Sequence, residues 1–179
     1  MLQLEKPRPV KVLAGVIYGA ETAWEKGLHR MAAVWGEFDL ISDTFPFDTT
    51  DYYAPEMGSG LTRRFVSFTR LVDPDTLGAL KHQSNEIEAD LSDGEARTIN
   101  IDVGYLDVHK LVLATTKEGA CRICLGEGMW ADMTLLYAKG AFTAFPWTFA
   151  DFRDKRYHPF LLRVRERYKR ALHEAHGGV

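Results

Sequence analysis

The sequence predicts an α+β protein with a ferredoxin-like β-α-β-β-α-β core, extended by a C-terminal antiparallel meander and a terminal amphipathic helix. Two stretches of helical periodicity alternate with strand-like stretches in the order that this core requires. Shorter strand-like stretches separated by glycine-containing turns follow, and the chain ends on apolar residues at helical spacing. We expect one domain over residues 1–179, with flexible ends at 1–8 and 176–179.

The first strand and the first helix have the clearest patterns. Val10–Tyr18 is nearly continuously apolar, which predicts a central strand buried on both faces. Thr22 and Glu25 have the spacing of a capping box, so Thr22 is predicted to cap the following helix. Gly36 is predicted to end that helix, whose apolar face consists of Trp24, Leu28, Met31 and Trp35.

Two more strands and a second helix follow in the predicted core. Strands are expected at residues 38–45 and 61–71, where aromatic and β-branched residues are frequent. Asp73 and Pro74 predict a capped start for the second helix. Its inner face is predicted to contain Leu77, Leu80, Ser84, Ile87 and Leu91.

A fourth core strand is predicted at residues 97–103, where apolar and polar side chains alternate. Asn100 and Asp102 then share one face of the strand, because side chains repeat every second residue. A bend at Gly104 is expected to place three further polar residues near them, namely Tyr105, Asp107 and His109. Asp and His at this spacing are compatible with a metal site, but a solvent-facing strand edge is the favoured interpretation.

The meander and the last helix are predicted from the remaining third of the chain. Two turns, Lys117-Glu118-Gly119 and Lys139-Gly140, are each flanked by short strand-like stretches. The last helix is expected to bury Phe160, Leu161, Val164, Tyr168 and Leu172. Its outer face is expected to carry Arg163, Arg165, Arg167, Lys169 and Arg170.

Composition and charge restrict the class of protein. A hydrophobic content of 46% and a charged content of 26% are ordinary for a soluble globular domain. The net charge of −3 disfavours a nucleic acid or an anionic membrane as the partner. The first residues lack the apolar core of a signal peptide, and no apolar run approaches the roughly 20 residues that span a bilayer. We therefore expect a cytoplasmic protein; its oligomeric state is not predicted.

Several motifs with known chemistry are absent from the sequence. There is no P-loop for nucleotide phosphates, no G-x-S-x-G elbow and no H-E-x-x-H. Cys121 and Cys124 have C-x-x-C spacing, but they fall in a predicted strand that would point the two thiols to opposite faces. No metal site is therefore predicted, and no cofactor is identified.

The segment 45–58 is the richest in polar and aromatic side chains and is interpreted as a pocket wall or as an ordered loop. A pocket shared with the fourth strand and the first meander turn would be walled by ten candidate ligand-binding residues. These are Asp48, Asp51, Tyr52, Tyr53, Arg63, Asn100, Asp102, Tyr105, Lys117 and Arg122. For Lys117 in its turn, and for Lys81 and Asn85 on the second helix, solvent exposure is the favoured interpretation.

Together these segments resemble DUF4416, a bacterial family of domains of unknown function. The resemblance extends over nearly the whole chain and is carried by residues 45–58, 61–65, 81–86, 100–106, 111–117 and 146–148. Family members tend to have Asn-Leu-Asp-Pro-Gly-Tyr at residues 100–105 and His-Arg-Ile-Tyr at residues 121–124. Both cysteines depart from that pattern, which weakens a redox or zinc role further. The resemblance implies no reaction.

Two classes of function are compatible with these observations. The favoured one is a small-molecule-binding domain or an enzyme with a polar pocket, whose ligand is a small molecule with an anion as one candidate. The sequence does not decide whether the protein is catalytic. The alternative is a non-catalytic module that binds a protein or RNA through its aromatic clusters and its basic last helix.

Overall fold

A computed structural model of the protein describes residues 5–94 and 96–177, which form one antiparallel sheet with helices on both faces. The strands are β1 (Val10–Tyr18), β2 (Phe38–Ile41), β3 (Phe45–Pro46), β4 (Thr62–Val72), β5 (Ile99–Leu106), β6 (Lys110–Thr115), β7 (Arg122–Gly126), β8 (Met129–Ala138) and β9 (Ala141–Ala144). The helices are α1 (Glu21–Trp35), α2 (Ala54–Met57), α3 (Leu77–Asp90), α4 (Ala150–Arg153) and α5 (His158–Gly177), with a 3-10 turn at Pro74–Thr76 before α3. The α+β class is confirmed.

The strand order is β2-β4-β1-β5-β6-β8-β7, with β3 added beside β4 and β9 beside β8. The predicted meander is wrong at its first turn, because β8 lies between β6 and β7. Glu127 and Gly128 both have positive φ, which suits a tight hairpin and pairs β7 with β8 instead of β6. The predicted turn at Lys139-Gly140 does join two paired strands, β8 and β9.

Helices α1 and α3 cover one face of the sheet, and α5 covers the other. The first core lies between the sheet and helices α1 and α3, and the second lies between the sheet and α5. β1 is buried along its whole length, as predicted, because its side chains alternate between these two cores. Val12, Ala14 and Val16 pack in the first core with α1 and α3, whereas Leu13 packs in the second core with α5. The predicted apolar residues of α1 and α5 lie in or against these cores.

Both predicted helix caps are wrong in detail. α1 begins at Glu21, because Ala20 already has the extended conformation of an N-cap, and Thr22 therefore lies within the first turn. Asp73 precedes the 3-10 turn but makes no side-chain capping bond. Its carboxylate instead lies 3.5 Å from the ammonium group of Lys6. The Asp73 side chain thus makes a tertiary ion pair and no capping bond.

The two ends of the chain and the last helix differ in part from what the sequence predicts. The expected flexible ends fall partly on residues 1–4 and 178–179, which lie outside the described residues, while residues 176 and 177 belong to α5. Arg165 was expected on the outer face of α5. Its guanidinium instead lies 3.7 Å from the centre of the Tyr137 ring and donates to the Val108 carbonyl. None of the described helices is long and apolar enough to span a membrane.

The sheet opens where β5 leaves β6, and this opening positions the candidate site. The pairing ends at Gly104 and Leu113, so the first half of β5 has no ladder partner on the β6 side. The Ile101 N–H donates instead to the Glu88 carboxylate at 2.7 Å. The Ile101 carbonyl accepts from the Lys81 ammonium group at 3.1 Å. Side chains of α3 therefore close the open edge of β5.

Candidate functional site

A cavity of about 440 Å³ lies at this opening, between β5, β6, α3 and the segment 47–53. A volume of this size suits a small ligand. Seven of the ten predicted residues line it, namely Tyr52, Tyr53, Arg63, Asn100, Asp102, Lys117 and Arg122. The segment 47–53 and β5, which is the predicted fourth core strand, thus meet at one cavity. The pocket hypothesis requires this juxtaposition.

The other three predicted residues do not line the cavity. Asp48 pairs with Arg156 at 2.9 Å and is largely exposed. Asp51 is exposed, and its main-chain carbonyl accepts from Ala54 at the start of α2. Tyr105 lies against the first core, because β5 continues through Gly104 to Leu106 without the expected bend and keeps alternating its side chains.

Arg63 is a deeply buried charge of the cavity wall, with 3% of its surface exposed. It forms ion pairs with Asp102 on β5 and with Asp151 at the start of α4. The Tyr157 hydroxyl donates to the same Asp151 carboxylate at 3.0 Å. Burial opposes the charged form of Arg63, but the two carboxylates outweigh it and raise the pKa of the guanidinium. Arg63 therefore stays charged, and two elements that are distant from it in sequence, β5 and α4, hold it in place.

Arg97 is the centre of a second group of charges at the cavity wall. Arg97 donates to Glu56 at 2.8 Å, to Glu88 at 3.2 Å and to the Asn100 amide oxygen at 2.9 Å. The Asn100 amide nitrogen donates in turn to Asp102 at 3.1 Å. One hydrogen-bonded network therefore connects Arg97 to Arg63, and its members are oriented before any ligand arrives.

Lys81 was predicted to be exposed, and this prediction is wrong. Its side chain is 9% exposed and lies between Ser84, at 3.2 Å, and the Glu88 carboxylate, at 3.9 Å. The physical reason is the open edge of β5, which needs a donor at the Ile101 carbonyl. Asn85, on the same helix, lines the cavity.

The prediction from sequence missed four charged residues of the cavity wall: Glu88, Arg97, Asp132 and Asp151. A signal for Glu88 exists in the sequence, because it follows Leu77 and Lys81 at helical spacing on the buried face of α3. Asp132 and Asp151 are buried carboxylates within largely apolar stretches, and such residues need partners. That requirement marks them as candidates, but the cation that pairs with Asp151, Arg63, is 88 residues away in the sequence.

Lys117 and Tyr52 meet at the cavity wall from two different loops. The Lys117 ammonium group donates to the Tyr52 hydroxyl and lies 4.0 Å from the centre of the Tyr52 ring. Both side chains are exposed. The hydrogen bond from Lys117, followed by its positive charge, lowers the pKa of the Tyr52 phenol. Tyr53, by contrast, is mostly buried beside Asp102, and this burial raises its pKa, so its phenol stays protonated.

Lys117→Met is expected to raise the pKa of Tyr52 towards the ordinary value of 10.0. The reason is that methionine removes both the donor and the charge that stabilise the phenolate. Absorbance at phenolate wavelengths during a pH titration measures the pKa of Tyr52. The variant Tyr52→Phe identifies which transition belongs to Tyr52. An unchanged transition in Lys117→Met would show that the two side chains do not interact in solution.

Glu88→Gln is expected to change how stability depends on pH. Desolvation by burial raises the pKa of the Glu88 carboxyl above its usual 4.5, although Lys81 and Arg97 oppose this. The folded state then holds a proton that the unfolded state has lost, so the stability of wild type relative to Glu88→Gln falls as pH rises from 4.5 to the raised value. Above that value the difference is constant. Urea denaturation between mildly acidic and neutral pH tests this, and a difference that grows with pH would contradict it.

The cysteines and the possible metal ligands lie apart from this network. Cys121 and Cys124 are free and exposed. Asp107 accepts from the main-chain N–H groups of His109 and Lys110 and thereby caps the turn between β5 and β6. Within residues 5–94 and 96–177, no group of three or more His, Cys, Asp or Glu side chains is arranged to hold a metal ion.

Comparison with known proteins identifies the family of this chain. The profile of the family described as a domain of unknown function (DUF4416) matches residues 8–168. This range includes β1 and most of α5, and it contains every residue of the cavity wall. The chain has no match among curated proteins or among solved structures.

Proposed function

Starting from the fact that this chain belongs to the DUF4416 family, which assigns no reaction, we propose that it binds a small polar molecule in the cavity beside β5. The observation that carries the proposal is the convergence of charged residues from β4, β5, α3 and the turn after β6 on one cavity. Concave sites lined by aromatic walls and a few oriented polar groups are typical of small-molecule binding.

The ion pairs of the wall support this proposal more than they support a purely structural role. Arg63 is buried between two carboxylates, and buried ion pairs are often no more stabilising than apolar residues of the same volume. Their cost is easier to understand if they orient polar groups towards a ligand. Phe47 lies 4.9 Å from the Arg63 guanidinium and lines the same cavity, as does Phe149. These rings offer apolar surface to a ligand.

A thermal-shift screen over nucleotides, sugar phosphates and divalent metals tests the proposal, because a ligand of the folded state raises the melting temperature. Asn85→Trp fills the cavity from α3, and Glu86→Trp is its matched control, since Glu86 is the next residue and is exposed. A cavity ligand is expected to stabilise wild type and Glu86→Trp but not Asn85→Trp. Equal stabilisation of all three proteins would place the ligand elsewhere and contradict the proposal.

The surface of α5 supports a second candidate function, a non-catalytic module that binds a protein or RNA. Arg163, Arg167 and Arg170 are exposed and form no ion pair with any residue of the described ranges. Changing these three arginines to glutamate is expected to remove a protein or RNA partner from a pull-down if this surface binds one. An unchanged set of captured partners would exclude the surface, without affecting the cavity proposal.

We further propose that β1, α1, β2, β4, α3 and β5 constitute a ferredoxin-like core. The strand order β2-β4-β1-β5 is the order expected for that fold, and all three pairings are antiparallel. The packing of α1 and α3 in one core, on the same face, also supports it. A crystal structure with α1 and α3 on opposite faces of these strands would contradict this arrangement.

A further inference from the structure

Lys117 differs from every other cation of the cavity wall. Arg63, Lys81, Arg97 and Arg122 each form an ion pair with at least one carboxylate. Lys117 forms none with any residue in the described part of the chain, and its partner is the neutral hydroxyl of Tyr52. A neutral phenol is a weaker partner for an ammonium group than an anion is, because it carries no opposite charge and so adds no Coulomb attraction between full charges. The charge of Lys117 therefore remains available to a ligand.

Asp132 provides an independent indication of what the ligand carries. It lines the cavity from β8 and is 5% exposed. One carboxylate oxygen accepts from Arg122 at 3.1 Å, but the other, Oδ1, is buried without a hydrogen-bond partner among the described residues. Leaving a buried acceptor unpaired is costly. A donor supplied from outside the chain would remove that cost.

Lys117 and Asp132 are connected through Arg122 along one wall of the cavity. Arg122 donates both to Asp132 and, at 2.8 Å, to the main-chain carbonyl of Lys117. Tyr52, Lys117, Arg122 and Asp132 thus form a continuous chain of contacts from the segment 47–53 to β8. A ligand that replaces the Tyr52 hydroxyl at Lys117 would release the turn after β6 from that segment, in the same cavity that Asp132 lines.

We propose that the ligand is a small anion that also carries hydroxyl groups, that its anionic group replaces the Tyr52 hydroxyl at Lys117, and that one of its hydroxyls donates to Asp132. This inference rests on the proposed function, because it assigns a ligand class to the same cavity. A phosphate or a carboxylate satisfies the requirement at Lys117 equally. Either can be attached to a sugar-like body whose ring or chain lies against the aromatic wall.

Four probes separate the two requirements in binding measurements by calorimetry. Glucose 6-phosphate and gluconate carry both an anion and hydroxyls, glucose carries hydroxyls alone, and inorganic phosphate is an anion without a sugar body. We expect both hydroxylated anions to bind about tenfold or more tightly than glucose or phosphate. Lys117→Met is expected to abolish the advantage of the anions over glucose. Equal binding of glucose and glucose 6-phosphate by wild type would overturn the inference.

Tyr52→Phe gives the sharpest test, because it separates a competitor for Lys117 from a ligand contact. Phenylalanine keeps the ring beside Lys117 but removes the hydroxyl, so we expect glucose 6-phosphate to bind about two- to fivefold more tightly. Weaker binding would mean that the hydroxyl holds the ligand, and it would overturn the exchange at Lys117. Tyr52 is 60% exposed, so this variant is expected to keep the fold.

Asp132→Asn tests the hydroxyl contact separately. We expect it to weaken glucose 6-phosphate binding about tenfold while leaving inorganic phosphate binding no weaker. An equal loss for both probes would overturn the role of Asp132. If none of the four probes binds wild type at millimolar concentration, the ligand class is wrong. The proposed function is judged apart from this, by whether Asn85→Trp blocks whatever ligand the thermal-shift screen finds.

Discussion

Arg63→Met is expected to destabilise the protein by about 3–5 kcal/mol, the range measured when one partner of a buried ion pair is removed. Arg63 is buried between Asp102 and Asp151, and methionine offers neither carboxylate a hydrogen bond. Asp151 is itself 3% exposed, so water cannot replace the lost partner fully. The variant therefore leaves both carboxylates without their cationic partner, and urea denaturation at neutral pH measures the resulting loss of stability.

Arg64→Met is the matched control, because Arg64 is the next residue on β4 and also forms an ion pair, with Glu21. Glu21 is 55% exposed, and ion pairs with exposed partners contribute about 1 kcal/mol or less. Similar losses for the two variants would show that Arg63 is not held as the structure indicates. Asp151→Asn in the Arg63→Met background is expected to recover part of the stability, because it removes one unpaired charge.

The elements of the fold were predictable wherever a local pattern decides the structure. The continuous apolar run of β1 and the helical spacing in α1 predicted both elements, because each reports which faces are buried. The order of β6, β7 and β8 was not predictable in this way. Pairing between β6 and β8 joins Thr115 to Trp130, and nothing in either short stretch specifies its partner. The positive φ values at Glu127 and Gly128 form the tight hairpin that pairs β7 with β8.

The site shows the same division between local pattern and long-range contact. Alternation along β5 correctly predicted that Asn100 and Asp102 share a face, and both line the cavity. It also places Tyr105 on the opposite face, once β5 continues through Gly104. Helical spacing indicates that Glu88 lies on the buried face of α3, but it does not indicate what Lys81 and Glu88 bind. Both side chains bond to the main chain of Ile101, on the unpaired edge of β5. The polar side chains of a helix cannot reveal a missing strand partner elsewhere.

Gly104→Ala is expected to destabilise the protein by about 3 kcal/mol or more, as overpacking at a rigid position does. A Cβ atom at this position would lie 2.1 Å from the Val112 carbonyl oxygen and 2.9 Å from the Leu113 Cα. Both are main-chain atoms of β6, so no side-chain rotation can relieve the clash. β5 and β6 would have to separate at the last pair that joins them, Gly104 and Leu113, beside the cavity.

The control for this variant is Gly19→Ala. A Cβ atom at Gly19 would meet its nearest neighbours, Leu61 Cδ2 and the Met57 carbonyl oxygen, at ordinary distances of 3.5 and 3.6 Å. Its effect is therefore expected to stay within about 1 kcal/mol. Urea denaturation of both variants compares them, and loss of a cooperative transition in Gly104→Ala alone also agrees with the expectation. Equal stability of the two would mean that β5 and β6 are not in close contact at Gly104. The cavity would then lack the junction that sets its position, because the opening of the sheet begins at that residue pair.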